Sequence, residues 1–505
     1  MKKIKHWVIS HRPHLTWSWR TGMLALCYWL FFFFAFLALW LHLEFTDNPF
    51  ENLAFDFQFP SSEFAGEGDA FYLHEFDLRV LYPSFGWTAV VMGIEALVFI
   101  FCQQYCIPLE IKHPVIRGIF SARALLLMIV AFLALSGSVR MHEFIYHRVG
   151  PDYFSSHYVE PKAVKVTAPA KLKNLLYIYL ESTEMAHTDP ALFGENLLAD
   201  MTNMEKNHAG IYSTSFPRFH LLLAAWSTTH GMTASQCGVP VKVIFTLKDY
   251  NARQLLPHAT CLGDILKANG YYNVQLGGDR EKFAGKNRLF LSHSFDEMLG
   301  YHFFLARQVP HKYMSPINYY DEVPFHYARQ KLDQLQASGK PFYLNLNSYD
   351  SHPPTYQGPE CRAWGFTDKK GTMKCMARQV RDLILYMQAK GYLKNTVVVI
   401  QGDHLLWNNR RYTGPFAKMN RDNRFVFNMF VSDQPLPPRT RDYIVHFDML
   451  PLTLQLMGFT IDGGRLGLGY GGFTFHGDSA NYDEKEIKRM DRDVVNPSPV
   501  YFNLW

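Results

Sequence analysis

The sequence predicts an α/β domain with a mostly parallel sheet and helices on both faces, preceded by a bundle of transmembrane helices. Three long apolar runs near the N-terminus predict the bundle. From Asn174 onward, short β-branched or aromatic runs alternate with segments of helical period, which predicts the sheet and its helices. The 505 residues exceed one ordinary core, so separate structural units are expected.

The first 140 residues predict a cytoplasmic tail at 1–20 and a membrane anchor at 21–140. At about 1.5 Å of rise per residue, each apolar run of the anchor is long enough to span a bilayer. The predicted spans are 21–43, 85–109 and 122–139. Glu95, inside the second span, is expected to face neighbouring helices.

The distribution of charge predicts the orientation of the anchor. The tail at 1–20 carries five basic residues and no acid, which accounts for the whole net charge of +5. Residues 44–84 hold nine acids and a single base, Arg79. The positive-inside rule therefore places the tail and the 110–120 link in the cytoplasm, and everything after Arg140 on the outer side. Because no basic excess remains elsewhere, the composition gives no support to a nucleic-acid partner.

A connector is predicted at 141–173 and an extracytoplasmic domain at 174–505. In the domain, continuous apolar runs predict buried strands, and apolar residues at three- and four-residue spacing predict helices that end at glycines. The predicted strands are 175–180, 272–276, 342–346, 396–400 and 425–431, and the predicted helices are 261–269, 377–390 and 447–457.

Four cysteines lie in this domain, an even number, and no C-x-x-C pair occurs among them. They are Cys237, Cys261, Cys361 and Cys375. This pattern argues against a zinc knuckle and favours two disulfides in an oxidising compartment, in agreement with the predicted topology. Four cysteines allow three pairings, and pairing nearest partners joins Cys237 to Cys261 and Cys361 to Cys375.

Acidic and imidazole side chains follow the predicted strands at their carboxyl ends. They are Glu181, Asp279, Asp350, His352, Asp403 and His404. Because the carboxyl ends of parallel strands share one edge of a sheet, these side chains are expected in one crevice. His446 and Asp448 are instead expected to be structural, with Asp448 capping the late helix.

Glu181, Asp403 and His404 offer two carboxylates and an imidazole, a donor set that suits Zn²⁺ or Mn²⁺ better than Ca²⁺ or Mg²⁺. One coordination position would remain for a nucleophile. The segment 225–236 supplies hydroxyls at the start of a predicted short helix, where free N–H groups can receive a phosphate. Composition does not choose among Ser227, Thr228 and Thr229.

Several short motifs, in a fixed order over residues 174–460, resemble the alkaline phosphatase/sulfatase superfamily. They are Leu180-Glu181-Ser182, Ser235-Gln236-Cys237-Gly238-Val239-Pro240, CLGDILKANGY at 261–271, FAGK at 283–286, Asp350-Ser351-His352-Pro353 and Gly402-Asp403-His404. Within the superfamily they are most similar to the membrane-anchored phosphoglycerol transferases of periplasmic glucans, and lipoteichoic acid synthases are related. The resemblance implies an alkaline phosphatase/sulfatase-like fold.

The resemblance also implies roles for individual residues. Thr228 would be the nucleophile, and one Mn²⁺ or Zn²⁺ would be held by Glu181, Thr228, Asp403 and His404. His352 would contact the substrate phosphate or act as general acid or base.

Three further residues are expected to contact substrate. Lys286 falls where lipoteichoic acid synthases have a phosphate-binding arginine, but the aromatic partner of that arginine is missing from FAGK at 283–286. For Asp279 and for Asp350, substrate binding and capping are both open.

The implied reaction moves the phosphoglycerol headgroup of phosphatidylglycerol through a covalent threonine intermediate to a glycan hydroxyl, releasing diacylglycerol. The acceptor would be a periplasmic glucan or another envelope polysaccharide. The enzyme would lie in the bacterial cytoplasmic membrane, with its catalytic domain periplasmic or extracellular.

Alternative functions remain open. Phosphatidylethanolamine is the second candidate donor, with phosphoethanolamine passing to a glycan or to lipid A. A phosphodiesterase or sulfatase-type hydrolase would use the same site, and a non-catalytic membrane sensor or scaffold would use none of it. The order Cys237-Gly238-Val239-Pro240 lacks the spacing and the arginine of the sulfatase C-x-P-x-R signature, so formylglycine chemistry is not expected.

Overall fold

The computed structural model describes residues 19–44, 80–105, 114–242, 254–353, 355–406, 414–419, 421–473 and 483–505. These residues divide into two compact units, one holding the N-terminal helices up to Ile145 and one that begins at Tyr146. Most of the predicted tail, most of the acidic 44–84 segment and the first part of the 110–120 link lie outside the described residues.

The N-terminal unit is helical where the apolar runs occur. Its helices are α1 (Trp19–Glu44), α2 (Tyr82–Tyr105) and α3 (Pro114–Ser138). The next helix, α4 (Met141–Val149), includes the boundary between the two units. Among the described residues, no single helix is both long and apolar enough to cross a bilayer. The bent pair Leu125–Ser138 and Met141–Val149 has the length and composition to do so together. The three-span anchor therefore stays a prediction.

The second unit contains a mixed sheet, for which the described residues supply seven strands. They are β1 (Asn174–Leu180), β2 (Tyr212–Thr214), β3 (Tyr272–Gly277), β4 (Glu297–Leu299), β5 (Phe342–Asn347), β6 (Thr396–Gly402) and β7 (Asn428–Ser432). Their order across the sheet is β2-β7-β6-β1-β5-β3-β4. From β6 to β4 all neighbours are parallel, whereas β7 pairs antiparallel with both β6 and β2.

The register of the central strands brings their carboxyl ends level. Leu180 at the end of β1 pairs with Gly402 at the end of β6, and Tyr179 pairs with Asn347 at the end of β5. Asn347 in turn pairs with Gly277, the last residue of β3. The residues that follow these strands therefore leave the sheet along one edge, as the sequence predicts.

Helices cover both faces of the sheet. Those of seven residues or more are α5 (Thr228–Cys237), α6 (Leu262–Ala268), α7 (Lys286–Ser292), α8 (Glu322–Ala337), α9 (Lys369–Ala389), α10 (Met449–Leu456) and α11 (Glu484–Asp493). Along β1, Tyr177 and Tyr179 join one core with α5, α6, α7, α10 and α11, while Ile178 and Leu180 join the other core with α8 and α9. The predicted two-sided architecture is confirmed.

Shorter elements complete the unit. The short helices are Tyr153–His157, Pro190–Phe193, Ala199–Thr202, Met204–Asn207, Tyr301–Ala306, Pro359–Ala363 and Pro499–Phe502. The two-stranded pairs are Val166–Thr167 with Thr460–Ile461, Arg218–His220 with Tyr443–Val445, and Arg465–Leu466 with Gly469–Tyr470. The predicted connector at 141–173 is thus partly helical, and one of its strands pairs with the domain.

Two element boundaries differ from the sequence predictions for identifiable reasons. The helix predicted at 377–390 begins eight residues earlier, because the Asp368 carboxylate caps it by accepting a hydrogen bond from Gly371 N at 2.7 Å. The strand predicted at 425–431 begins at Asn428, because Phe425 and Val426 make isolated bridges outside the sheet.

Both disulfides form with the nearest-partner pairing. Cys237–Cys261 joins the last residue of α5 to the residue before α6, and Cys361–Cys375 joins the helix Pro359–Ala363 to α9. All four cysteines are buried.

We expect the Cys237→Ala/Cys261→Ala double variant to lose about 3 kcal/mol of unfolding free energy, since a bond across 24 residues restricts the unfolded chain. Denaturant unfolding of the purified protein, followed by tryptophan fluorescence, measures the loss. Cys27→Ala is the matched control because Cys27 is a free cysteine in α1. An unchanged unfolding midpoint in the double variant would contradict this assignment.

Candidate active site

Glu181, Asp403 and His404 converge at the edge where β1 and β6 end. One ligand atom from each lies within 4.8 Å of the others, and all three side chains are buried. His404 Nε2 is 3.5 Å from Glu181 Oε1 and 3.5 Å from Asp403 Oδ2. The structure therefore brings together the three predicted ligands that the strand-end pattern singles out.

Hydrogen bonds fix the orientation of this cluster. Asp403 Oδ1 accepts the backbone N–H groups of Ser182 and His404, each at 2.8 Å. The Ser182 hydroxyl donates to Glu181 Oε1 at 2.7 Å. His404 Nδ1 lies 2.8 Å from the carbonyl of Leu405 and donates to it, which directs Nε2 toward the two carboxylates.

Close backbone approach requires glycine at two positions around Asp403, namely Gly402 before it in the chain and Gly231 in α5. A Cβ at Gly402 would lie 2.1 Å from the Thr183 carbonyl oxygen, and a Cβ at Gly231 in α5 would lie 2.1 Å from the Asp403 carbonyl oxygen. Ser182 also adopts a positive φ of 51°, a conformation that non-glycine residues rarely take. Tight packing of three chain segments thus holds the cluster.

Among the three hydroxyls that the sequence leaves open, Thr228 is the one that reaches the cluster. Thr228 is the first residue of α5, and its Oγ1 lies 3.3 Å from Glu181 Oε2 and 3.5 Å from His404 Nε2. The Ser227 hydroxyl instead contacts the His230 imidazole, and Thr229 donates to the carbonyl of Ala284. The first turn of a helix also carries N–H groups without intrahelical partners, which favour a bound anion.

The electrostatics of the cluster suit a divalent cation. Burial and the adjacent carboxylate of Glu181 raise the pKa of Asp403 to about 7. Burial works to lower the pKa of His404, but the negative charges of Asp403 and Glu181 outweigh it and raise that pKa. Two carboxylates held this close out of water repel each other, and a metal ion would relieve that repulsion. The donor set therefore fits Zn²⁺ or Mn²⁺.

His352 lies beside this cluster on the turn after β5. Its ring stacks on Tyr349 at 5.0 Å between centroids and meets the edge of Phe283 at 5.7 Å. Nδ1 is 2.9 Å from the Pro353 carbonyl, to which it donates. Burial, with the charge of His404, lowers the pKa of His352 to about 4, so the imidazole is neutral at physiological pH.

Lys286 and Asp279, both predicted to bind substrate, form a buried ion pair with each other. The Lys286 ammonium also lies 5.6 Å from the centre of the Phe283 ring. Phe283, the first residue of FAGK, therefore lies beside the lysine. The same ring contacts His352, so the pair belongs to the wall of the site.

Asp350 makes contacts that are structural. Its carboxylate accepts the N–H of Asp321 at 3.0 Å, while the Asp321 carboxylate accepts the N–H groups of Tyr349 and Asp350. Burial and the neighbouring charge of Asp321 raise the pKa of Asp350 well above its usual value. The two acids together shape the turn that carries His352.

Several supporting residues have no local sequence signal. Ser348 Oγ accepts the N–H of Glu181 at 3.0 Å, and the Ser351 hydroxyl donates to the Glu181 carbonyl at 2.7 Å. His446, expected to serve only the late helix, donates from Nε2 to the Asp403 carbonyl at 2.8 Å. These partners are far from Glu181 and Asp403 in the chain, so only the folded structure identifies them.

Known proteins resemble this chain in sequence and in fold. Phosphoglycerol transferase I of Xanthomonas axonopodis pv. citri is 30% identical over 310 residues, which cover 59% of this chain and 43% of that protein. The Escherichia fergusonii protein of the same name is 31% identical over 286 residues, covering 55% and 36%. This chain thus spans about two fifths of the length of these curated relatives.

Among solved structures, the lipoteichoic acid synthase LtaP from Listeria monocytogenes superposes with a TM-score of 0.45 and 16% identity, covering 61% of this chain and 78% of that one. The family profile described as Sulfatase matches residues 173–459. That match takes in β1, α5 and the turn after β6, where the predicted ligands and Thr228 lie. Because it covers more than half of the chain, this protein belongs to the sulfatase family.

Proposed function

We propose that this protein is a metal-dependent transferase that moves a phosphoglycerol headgroup from phosphatidylglycerol to a glycan hydroxyl. The observation that carries the proposal is the position of Thr228. Its hydroxyl lies at a helix N-terminus and within 3.5 Å of both Glu181 and His404. A hydroxyl held there suits nucleophilic attack on a phosphodiester.

The relatives support the choice of headgroup. Two curated proteins at 30% and 31% identity are named phosphoglycerol transferase I. The periplasmic glucan acceptor and the phosphatidylglycerol donor are parts of the proposal, because this chain spans less than half of those proteins.

The proposed metal ligands are Glu181, Asp403 and His404, with the Thr228 hydroxyl as the fourth. When bound, Zn²⁺ or Mn²⁺ would lower the pKa of the threonine hydroxyl and polarise the phosphoryl group. The remaining steps depend on this chain's own side chains.

In the first half-reaction Thr228 Oγ1 forms a bond to phosphorus while the bond from phosphorus to the diacylglycerol oxygen breaks. Glu181 Oε2 accepts the Thr228 hydroxyl hydrogen bond at 3.3 Å and so directs the oxygen lone pairs toward the phosphate. Lys286, next to Asp279 in the wall, offers N–H donors to the phosphate oxygens. The proton that the Thr228 hydroxyl loses is offset by the proton that the departing oxygen gains, so diacylglycerol leaves as an alcohol and no net proton is released.

In the second half-reaction an acceptor hydroxyl attacks the phosphorus and the bond to Thr228 Oγ1 breaks. Neutral His352 removes the proton of the acceptor hydroxyl, and the threonine oxygen recovers a proton. The packing of His352 between Tyr349 and Phe283 fixes its ring for this transfer.

Anchoring in the cytoplasmic membrane, with the catalytic unit outside, belongs to the same proposal. The three apolar runs of the sequence and the two disulfides support it, since disulfides persist in oxidising compartments. The anchor would keep the site within reach of a donor that stays in the bilayer.

We expect Thr228→Val to reduce diacylglycerol release from phosphatidylglycerol by more than about 10³-fold, because it removes the nucleophile. Labelled lipid in detergent micelles and mass analysis of the peptide bearing Thr228 provide the two measurements. Thr233→Val, one turn later in α5, is the matched control, because the Thr233 hydroxyl has no hydrogen-bond partner among the described residues. Equal loss in both variants would rule out a nucleophilic role for Thr228.

Asp403→Asn should weaken binding of Mn²⁺ or Zn²⁺ by at least about 10–100-fold, since even partners outside the ligand set contribute that much. Metal content after dialysis measures the effect, and chelation should lower the melting temperature of the wild type. Asp382→Asn, which changes a surface carboxylate paired with Arg381, is the control. Equal metal content in all three proteins would refute the ligand assignment.

The pH profile of kcat/KM for the acceptor tests the role of His352 as a base. A base acts only when it is unprotonated, and the pKa of His352 is lowered to about 4, so activity should fall as the pH drops through about 4 rather than through about 6.5. His352→Gln should reduce the rate and remove this acidic limb. A limb that persists in His352→Gln would assign it to another group.

A further inference from the structure

An open cleft of about 670 Å³ lies at one end of the sheet edge that carries the proposed active site. Its walls combine aromatic rings with ionisable side chains. The residues that matter here are Phe304, Arg307, Tyr313, Glu322, His326 and Tyr327. The proposed reaction assigns no role to any of them.

The cleft shares its edge with the site because of the topology. The helix Tyr301–Ala306 follows β4, and α8 begins at Glu322 and precedes β5, so both line the carboxyl-end edge of the sheet. Asp321, the residue before Glu322, accepts the N–H of Tyr349, the ring on which His352 stacks. Asp321 therefore connects Glu322, in the cleft wall, to the turn that carries His352.

Glu322 is a buried carboxylate with unused hydrogen-bonding capacity. Only 2% of the residue is exposed. Oε2 accepts the N–H of Glu360 at 2.6 Å, while Oε1 has no hydrogen-bond partner among the described residues. Gly358 permits this packing, since a Cβ there would lie 2.8 Å from Oε2. A buried oxygen left without a partner is costly, so a hydrogen-bond donor from a ligand would stabilise it.

The charges in the cleft argue against an anionic ligand. Its two carboxylates, Glu322 and Glu360, balance Arg307 and His326. His326 Nε2 lies 3.1 Å from Glu360 Oε1, with which it pairs. The Arg307 guanidinium lies over the Phe303 ring, 3.5 Å from the ring centre. A phosphate group would meet two acids there, and an acyl chain would desolvate all four ionisable groups.

The composition of the walls suits a neutral polyhydroxyl ligand. The half-buried Tyr327 ring gives the wall an apolar surface suited to the C–H groups of a sugar ring, and the Tyr327 and Tyr313 hydroxyls are able to hydrogen-bond sugar hydroxyls. Glu322 Oε1 and Gln330 supply hydrogen-bond partners for sugar hydroxyls.

We infer that this cleft binds a sugar residue of the glycan acceptor and delivers the neighbouring hydroxyl toward His352. The inference rests on the proposed function for its reaction, but sugar binding itself is independent of phosphoryl transfer. Tyr327 and Glu322 are the main contacts.

The test uses the full-length protein in detergent, with and without Thr228→Val, and neutral gluco-oligosaccharides of five units as probes. Isothermal titration and saturation-transfer NMR measure binding without any turnover. Tyr327→Ala and Glu322→Gln should each weaken binding about tenfold and raise the acceptor KM by a similar factor. Tyr392→Ala is the control, since Tyr392 precedes β6 and lies at the opposite edge of the sheet. Gln330→Ala, at an exposed position, replaces any variant that fails to fold.

The expected result is that the oligosaccharide binds to the wild type and to Thr228→Val, and that only the cleft variants weaken this binding. Absence of saccharide binding, equal affinity in the cleft variants, or displacement of the sugar by glycerol 1-phosphate would overturn the inference. The last outcome would assign the cleft to the donor. Failure of the proposed function looks different: no phospholipid would modify Thr228, whereas saccharide binding would persist.

Discussion

The pairing of β1 with β6 is the constraint on which the rest of the site depends. Leu180 opposite Gly402 sets Glu181 and Asp403 side by side, and Asp403 N donates to the Leu180 carbonyl at 3.2 Å. A slip of one residue in this register would point every side chain of β6 to the other face of the sheet and separate the two carboxylates. The glycine at 402 then allows the Thr183 carbonyl to approach, which closes the turn over the cluster.

Holding two carboxylates together in a buried site costs folding free energy, and nearby ion pairs connect the segments around it. The Glu184 carboxylate accepts hydrogen bonds from Arg424 Nε at 2.9 Å and from the N–H of Leu406 at 2.9 Å. These bonds connect the segment after β1 with the segment after His404. On the other side, Lys286 and Asp279 neutralise each other within the wall. The cluster itself keeps two carboxylates close together out of water, an arrangement that a bound divalent cation would stabilise.

Sequence patterns predicted the parallel core and the convergence of Glu181 with the pair after β6, because a buried strand and the polar residue that follows it are both local features. The start of α9 was missed, since its first turns are polar and only the Asp368 cap marks them. Ser348 and His446 were not predicted as partners of the cluster. Their contacts depend on how distant segments pack, and no periodicity or spacing encodes that. The partner of Asp350 escaped prediction for the same reason.

The position of the cleft also follows from the stereochemistry of the proposed transfer. Each displacement at phosphorus is roughly in line, so diacylglycerol departs on the side opposite Thr228 and the acceptor hydroxyl must arrive from that same side. A glycan that filled this path would exclude the lipid. A cleft beyond β3 and β4, joined to the His352 turn through Asp321, would hold the bulk of the glycan to one side and leave only its hydroxyl to enter. The disulfide Cys361–Cys375 fixes the helix that begins at Pro359, so this wall would keep its place as the two substrates alternate.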